Sequence, residues 1–199
     1  MSACDEALPL PPAMPQLAQN GRRRLCDWVL ARCGWRIRGR FPDVAQLVLI
    51  AAPHSSWWDG LWGMLFKVAL GVELSFMGKR ELFRGPLGWT LRKLGGIPIE
   101  RTHAHGLVDQ MVANFRASPR LWLGIAPEGT RKRVAKWRTG FWHIARAAGV
   151  PILPIAFDYS TRSIVIGELF QPGADLEADI AALRAFYAPF HGRNHDVEA

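Results

Sequence analysis

The 199-residue chain has few cysteines and no long uncharged stretch, and both absences narrow its class. The two longest runs without Asp, Glu, Lys or Arg cover residues 7–21 and 44–58, at 15 residues each, whereas a membrane-spanning helix needs about 20 mostly apolar residues. The first residues also lack the basic start and apolar stretch of a secretory signal. Cys4, Cys26 and Cys33 are odd in number and lie near one end, so they form no disulfide framework, which indicates a reducing compartment.

The composition predicts one compact domain, because 49% of the residues are hydrophobic and 21% are charged. Residues 1–20 are rich in proline and show little apolar periodicity, so we expect them to be a disordered tail. The single domain is expected over 21–190, beginning with a basic helix, and residues 191–199 are expected to be a polar C-terminal tail.

The net charge of +8 is unevenly distributed along the chain. Seven arginines against one acid lie in residues 21–40, and five basic residues with no acid lie in 131–138. Such basic segments indicate an anionic partner, which is membrane phospholipid, nucleic acid or a phosphorylated substrate, although charge also serves solubility alone. Residues 22–35, with Trp28 and Trp35 at their edges, predict a helix that either packs on the domain or lies on an anionic bilayer.

Alternating strand and helix patterns follow from residue 46 onward. Short apolar runs predict strands over 46–52, 74–77, 96–100, 121–126, 152–157 and 163–166. Longer periodic segments predict helices over 58–70, 104–116, 139–148 and 176–188. Strands separated by helices indicate an α/β layered domain whose sheet is largely parallel and is flanked by helices.

The residue pair His54 and Asp59 directly follows the first buried strand. Histidine accepts a proton near neutral pH, and a carboxylate on its other ring nitrogen fixes the tautomer. The spacing by itself is weak, because His191 and Asp196 repeat it in the polar tail. The strand–loop–helix context distinguishes the first pair, and we expect the second pair to have no role in chemistry.

Three further motifs also lie at strand ends. Residues 127–131 (PEGTR) offer main-chain N–H groups and a guanidinium for an anion, or are simply a turn with a surface arginine. Residues 95–101 (GGIPIER) end in Arg101, at a position where ligand crevices open in such sheets. Residues 150–154 (VPILP) are an apolar strand with two prolines. No set of His, Cys and acidic residues has metal-ligand spacing, so no metal site is predicted.

The order and spacing of these four blocks resemble the glycerolipid acyltransferases of the lysophosphatidic acid acyltransferase-like family, over about residues 35–160. The resemblance implies a glycerol-3-phosphate acyltransferase-like fold and a short form without an N-terminal transmembrane anchor. It assigns His54 and Asp59 as the catalytic dyad. It assigns acceptor binding to Lys79, Arg101, Glu128, Gly129, Thr130 and Arg131, and the acyl side to Pro151 and Pro154. Departures from the family pattern at Pro53, Pro98, Ala126 and Lys132 cluster near the acceptor site.

The resemblance also implies a reaction. A fatty acyl group would move from acyl-CoA or acyl-carrier protein to the hydroxyl of a lysophospholipid, with lysophosphatidic acid as the first candidate. No metal or bound cofactor is expected, no nucleic-acid partner is expected, and the protein would sit on the cytoplasmic face of the membrane. The alternative is a non-catalytic lipid-binding module on the membrane surface, which would not require an intact His54 and Asp59.

Overall fold

The computed structural model describes residues 2–17, 21–99 and 104–197, with Lys79, Ala104 and His105 described by their backbone alone. The helices are α1 (Gly21–Arg32), α2 (Trp57–Leu70), α3 (Gly85–Lys93), α4 (Ala104–Ala117), α5 (Gly140–Ala148) and α6 (Leu176–Tyr187). The strands are β1 (Arg36–Arg38), β2 (Gln46–Ala52), β3 (Leu74–Lys79), β4 (Gly96–Ile99), β5 (Leu121–Ile125), β6 (Ile152–Asp158) and β7 (Ser163–Ile166). Short 3-10 helices cover Asp5–Ala7 and Arg80–Phe83.

The seven strands form one sheet in the order β1-β7-β6-β2-β5-β3-β4. All neighbouring pairs are parallel except β6 and β7, which are antiparallel. Strand β2 lies at the centre, and its apolar sequence matches the burial that two covered faces impose. The predicted α/β class with a largely parallel, helix-flanked sheet is therefore confirmed.

Each face of the sheet carries its own hydrophobic core. On one face, Leu47 and Leu49 of β2 pack in a cluster with α1 and α2. On the other face, Val48 and Ile50 pack in a cluster with α4, α5 and α6. The alternation along β2 follows from the two-residue period of a strand, which sends successive side chains to opposite faces.

Several element predictions agree with the structure, whereas one strand, one α-helix and the two 3-10 helices were not predicted. Strands β2 and β7 have the predicted bounds, and α5 ends at Gly149, which adopts the left-handed conformation typical of helix C-termini. The sequence did not indicate β1, which is only three residues long, or α3, whose short sequence contains Gly85, Pro86 and Gly88. Both elements depend on tertiary contacts rather than on a strong local pattern.

Residues 2–17 pack on the domain, which corrects the prediction of a disordered tail for that part of 1–20; residues 18–20 lie outside the described ranges. Ala3, Cys4 and Met14 are buried in the core beside α1 and α2. The N–H of Ile37 donates to the carbonyl of Ala3, and Gln16 forms an isolated bridge with Val72. Small apolar side chains supply this packing, and their burial is not visible as periodicity.

Within the described ranges, the helices are all too short or too polar to cross a bilayer.

Candidate active site

Motif residues collect where the parallel strands β2, β5, β3 and β4 end. His54 follows Ala52 of β2, and Glu128 follows Ile125 of β5. Lys79 is the last residue of β3 and pairs in register with Ile99 of β4. Parallel neighbours end at the same edge of a sheet, which is the usual place for a ligand crevice. Arg101 lies outside the described residues, and so does the side chain of Lys79.

Asp59 occupies its position because it caps α2. Ser56 is the N-cap, and its Oγ accepts a hydrogen bond from the N–H of Trp58. The Oδ2 of Asp59 in turn accepts the N–H of Ser56 at 2.7 Å, completing a reciprocal capping box. A buried carboxylate at the helix N-terminus is thereby held by the main-chain N–H of Ser56.

The imidazole of His54 faces this carboxylate. Its Nδ1 lies 3.6 Å from Oδ2 of Asp59, an ion-pair distance longer than a hydrogen bond. The Asp59 side chain is fully buried, whereas the His54 side chain is 26% exposed. Burial lowers the pKa of His54, the Arg131 guanidinium lowers it further, and the Asp59 carboxylate opposes both. The ring is therefore neutral at neutral pH, and it can accept a proton on Nε2 when Nδ1 carries the hydrogen.

Tyr159 completes the carboxylate's contacts and was not predicted from the sequence. It follows β6, and its hydroxyl donates to Oδ1 of Asp59 at 2.5 Å. Burial and this hydrogen bond raise the pKa of Tyr159, so the phenol remains a donor at neutral pH. A lone tyrosine after a strand carries no spacing signal, which is why the sequence did not reveal it.

Glu128 joins the two main motifs. Its Oε1 accepts the main-chain N–H of His54 at 2.9 Å, which links the loop after β5 to the loop after β2. The side chain is buried, and burial raises the pKa of its carboxyl group. Among the described atoms, its Oε2 has no hydrogen-bond partner. Through this hydrogen bond, Glu128 holds the loop that carries the histidine.

The rest of the PEGTR loop forms a tight turn at the site. Gly129 has a φ of 63°, and a Cβ there would lie 2.7 Å from the Arg138 side chain, so only glycine fits without movement. Thr130 accepts the N–H of Lys132 through its Oγ1. Arg131 is exposed, and its charge acts on His54. The loop therefore carries a cation whose charge reaches the histidine.

An apolar cavity of about 550 Å³ opens beside the dyad. His54 and Asp59 line it together with Leu49, Met64 and Phe157. Its walls come from the sheet face that α2 covers. Ile155, which directly follows the predicted acyl-side block 150–154, lines this cavity. Pro154 instead lines a groove on the α6 side, because adjacent strand residues face opposite sides of the sheet. Pro151 precedes β6 and lines neither cavity.

Lys67 is an unpredicted polar residue in this cavity. It lies on α2, is only 6% exposed, and its Nζ donates to the carbonyls of Leu74 and Leu94. Burial lowers the pKa of Lys67 to about 8. Asp59 and Lys67 are eight residues apart on α2, which corresponds to about 12 Å along the helix axis. The lysine therefore lies well away from the dyad along the cavity wall.

The second His–Asp pair also forms, but in a different setting. His191 Nδ1 and Asp196 Oδ2 are 3.1 Å apart, with side chains that are 60% and 51% exposed. This pair closes a turn in the segment after α6 and follows no strand. Of the described residues, no group of three His, Cys, Asp or Glu could hold a metal ion.

Comparisons with known proteins agree with this geometry. Residues 36–158, more than half of the chain, match the family model described as Acyltransferase. The chain is 35% identical over 100 residues to the 1-acyl-sn-glycerol-3-phosphate acyltransferase of Escherichia coli, covering 47% of this chain and 40% of the relative. It is 34% identical over 86 residues to the protein of the same name from Haemophilus influenzae, covering 40% of this chain and 35% of that relative.

A solved structure shares the fold. The 1-acyl-sn-glycerophosphate (LPA) acyltransferase PlsC of Thermotoga maritima superposes with a TM-score of 0.59 at 16% identity, over 86% of this chain and 80% of the other. The match to the curated relatives spans less than half of their length. The family match covers all the motifs that form the site, and the chain therefore belongs to the acyltransferase family.

Proposed function

We propose that this protein transfers a fatty acyl group from acyl-CoA or acyl-carrier protein to the hydroxyl of a lysophospholipid, with lysophosphatidic acid as the first candidate. The observation that carries the proposal is the position of His54 and Asp59 at the wall of an apolar cavity. A proton acceptor beside space for a hydrocarbon chain suits acyl transfer to an alcohol. The activity named for the Escherichia coli relative supports the same reaction.

In this reaction His54 acts as the general base. Its Nε2 removes the proton of the acceptor hydroxyl, and the resulting oxygen attacks the thioester carbonyl. The carbon–sulfur bond breaks, the ester forms, and the imidazolium returns its proton to the leaving thiolate. Asp59 holds Nδ1 and stabilises the imidazolium, while the hydroxyl of Tyr159 holds Asp59. General-base assistance of this kind contributes roughly 10²–10⁴-fold to the rate.

The basic groups around the site bind the anionic end of the acceptor. Arg131 lies beside His54, so a phosphate on its guanidinium brings the neighbouring hydroxyl within reach of the base. Gly129 and Thr130 form the turn that carries it. We also assign Lys79 and Arg101 to this acceptor site on the strength of the family resemblance and of their places in the sequence.

The apolar cavity receives the acyl chain. Leu49, Phe66 and Phe157 give it a hydrocarbon lining, which is the surface that an extended acyl chain buries favourably. We therefore assign the acyl side to Ile155 of β6, in place of Pro151 and Pro154. The reaction requires no metal or bound cofactor in this scheme.

The protein works at the cytoplasmic face of an anionic membrane, without spanning it. Leu25 and Trp28 are three residues apart on one side of α1, and both are 60% exposed. Trp57 and Leu61 are likewise exposed on α2, which packs against α1. Together with the arginines of residues 22–40, these side chains suit a bilayer surface that supplies both acceptor and product.

Mass spectrometry of the lipids formed by the purified protein tests the proposal. The protein is offered lysophosphatidic acid, other lysolipids, and acyl-CoA or acyl-carrier protein donors. We expect diacylated product from lysophosphatidic acid, and none from a folded His54→Ala variant. His143→Ala is the matched control, since it removes an exposed histidine on α5, and we expect it to retain turnover. Equal amounts of product from the parent protein and from His54→Ala would overturn the mechanism. If neither protein forms product, the lipid-binding alternative is favoured.

A further inference from the structure

The segment that follows α6 does not lead away from the domain. Residues 191–197 run across the loop that carries His54, although the sequence indicated only a polar tail. The N–H groups of Arg193 and Asn194 donate to Oγ of Ser55, at 2.9 and 3.2 Å. The side-chain amide of Asn194 donates to the carbonyl of Ser55 at 2.7 Å. Ser55 is buried and directly follows the histidine, so three hydrogen bonds reach the residue next to the base.

The same segment also reaches the loop that carries Arg131. The Nε2 of His195 lies 3.2 Å from the carbonyl oxygen of Arg131. On its other side, the segment is joined to the end of β6, where the N–H of Tyr159 donates to the carbonyl of His191 at 2.8 Å. The guanidinium of Arg193 stacks 5.0 Å from the ring of Trp58 on α2. The segment therefore contacts each of the elements that carry the dyad, its tyrosine and its neighbouring cation.

The segment is itself held in a tight turn. The Asp196 carboxylate contacts the His191 ring through Oδ2 and accepts the N–H of Gly192 through Oδ1 at 2.9 Å. A Cβ on Gly192 would lie 2.9 Å from Pro53 and 3.1 Å from Oγ of Ser55, so the main chain approaches the histidine loop closely. The second His–Asp pair thus has a structural task, which is to close the turn that presents Asn194 and His195.

We propose that residues 191–196 are a positioning element of the active site. Asn194 holds the histidine loop through Ser55, and His195 holds the arginine loop through the carbonyl of Arg131. This segment, the active-site clamp, fixes the distance between the proton acceptor and the cation that receives the acceptor's anionic group. Glu128 ties the same two loops on their buried side, and the clamp ties them on their exposed side. The inference rests on the proposed function for its kinetic consequences, but not for its structural ones.

The Asn194→Asp variant tests the histidine half of the clamp. It keeps the size of the side chain but replaces the N–H donor with an oxygen that faces the Ser55 carbonyl. The groups that face the His54 ring are Asp59 from α2 and Arg131 from the loop after β5. A looser loop leaves these charges in place but lets water reach the ring. Since burial is the first cause of its lowered pKa, we expect the titration midpoint of His54, followed by NMR, to move upward.

A matched control separates positioning from stability. Asn114→Asp makes the same chemical change on α4, which leads to the opposite edge of the sheet. We expect neither Asn variant to lower the thermal unfolding midpoint much, because both side chains are at least partly exposed, and only Asn194→Asp to move the His54 titration. An unchanged His54 midpoint in Asn194→Asp, or an equal movement in Asn114→Asp, would overturn the clamp. Asn194→Ala decides the test, because it adds no carboxylate that would raise the His54 pKa by its charge alone. An unchanged His54 midpoint in Asn194→Ala would overturn the clamp even if the midpoint moves in Asn194→Asp.

Kinetics test both halves of the clamp, and the His195 variants test the arginine half. We expect Asn194→Asp to lower kcat roughly three- to tenfold, as the loss of one hydrogen bond allows. We expect His195→Ala to raise KM for the phosphorylated acceptor and to leave KM for the acyl donor unchanged. His195→Gln retains a donor near the Arg131 carbonyl and should restore most of the acceptor KM. The same KM in His195→Ala and the parent protein would reject this half. The NMR titration needs no substrate, so a failure of the proposed acyl transfer leaves the test of the histidine half intact.

Discussion

The hydroxyl of Tyr159 and the carboxylate of Asp59 meet at 2.5 Å, on the oxygen that does not face His54. One oxygen of Asp59 therefore serves the histidine and the helix N-terminus, and the other serves the tyrosine. A carboxylate with both oxygens engaged cannot rotate freely. The orientation of the base thus depends on three elements of the fold, which are the loop after β2, the first turn of α2 and the end of β6.

The first prediction concerns this tyrosine. Tyr159→Phe leaves a carboxylate oxygen buried without its donor, so we expect a loss of stability of about 1–3 kcal/mol and a lower kcat. Tyr187→Phe is the matched control, because Tyr187 is fully buried and donates to the carbonyl of Ile50. We expect the control to lose stability but to keep its kcat. Urea unfolding and steady-state acyl transfer measure the two effects, and equal kcat values in both variants would contradict the role of Tyr159.

The second prediction is a pair of opposite pH shifts. Arg131 lowers the pKa of His54 and Asp59 raises it, so removing each charge should move the titration in opposite directions. A base loses activity as pH falls through its pKa. We therefore expect the acidic limb of kcat/KM to move to higher pH in Arg131→Gln and to lower pH in Asp59→Asn. NMR titration of His54 replaces kinetics where turnover is too slow.

Arg120→Gln serves as the control for this pair. Arg120 is exposed next to the start of β5, at the edge of the sheet opposite the site, so its removal should leave the acidic limb where it is. If the acidic limb moved in the same direction in Arg131→Gln and in Asp59→Asn, the loop would have rearranged, and the two charges would not act directly on the His54 ring.

The third prediction concerns Lys67. Its pKa is lowered to about 8 by burial, so the folded protein binds fewer protons than the unfolded chain between pH 8 and about 10.5. The contribution of Lys67 to the free energy of unfolding is therefore smallest below pH 8, and it rises as the pH increases from 8 to about 10.5. Relative to Lys67→Met, we expect the free energy of unfolding of the parent protein to increase from pH 8 to pH 10.

Urea unfolding at several pH values measures this difference. Lys93→Met is the matched control, since Lys93 is exposed and stacks on Trp89. We expect the difference between the parent protein and this control to be nearly constant over the same range. If the difference in the free energy of unfolding between the parent protein and Lys67→Met were also constant from pH 8 to pH 10, the prediction would be wrong, and the Lys67 amine would titrate like that of a hydrated lysine.

The fourth prediction concerns the membrane. Replacing both Trp28 and Trp57 with Ser removes two large exposed rings, so we expect weaker binding to vesicles that contain anionic phospholipid, above all the part that resists salt. Leu169→Ser, on an exposed side chain away from α1 and α2, should bind like the parent protein. Vesicle co-sedimentation at low and high salt measures both. Point variants are preferable to removing residues 1–40, because Ala3, Met14 and Ile37 are part of the core.

The sequence was a good guide to the sheet and a partial guide to the site. The apolar run of β2 and the stripe of α4 reflect burial directly, and periodicity reports burial. The pairing of His54 with Asp59 was predicted because both residues belong to one strand–loop–helix unit. Their link to Glu128 spans 74 residues, and no local pattern encodes it.

Other contacts escaped prediction for the same reason. Tyr159 approaches Asp59 from 100 residues away, and Asn194 reaches Ser55 from 139 residues away. Polar residues after the last helix have the composition of a solvated tail, whether or not their main-chain groups find partners. The burial of residues 2–17 was also missed, because proline-rich composition is typical of disorder and the small side chains that pack give no periodic signal.

The capping box of α2 has one more consequence. Because Oδ2 of Asp59 closes the first turn of the helix, the helix cannot start correctly without placing the carboxylate that the histidine needs. Folding and preorganisation of the site are then a single event, completed before any substrate arrives. A less constrained carboxylate would have to reorient at each turnover. The Asp59 carboxylate is instead oriented once, when the chain folds.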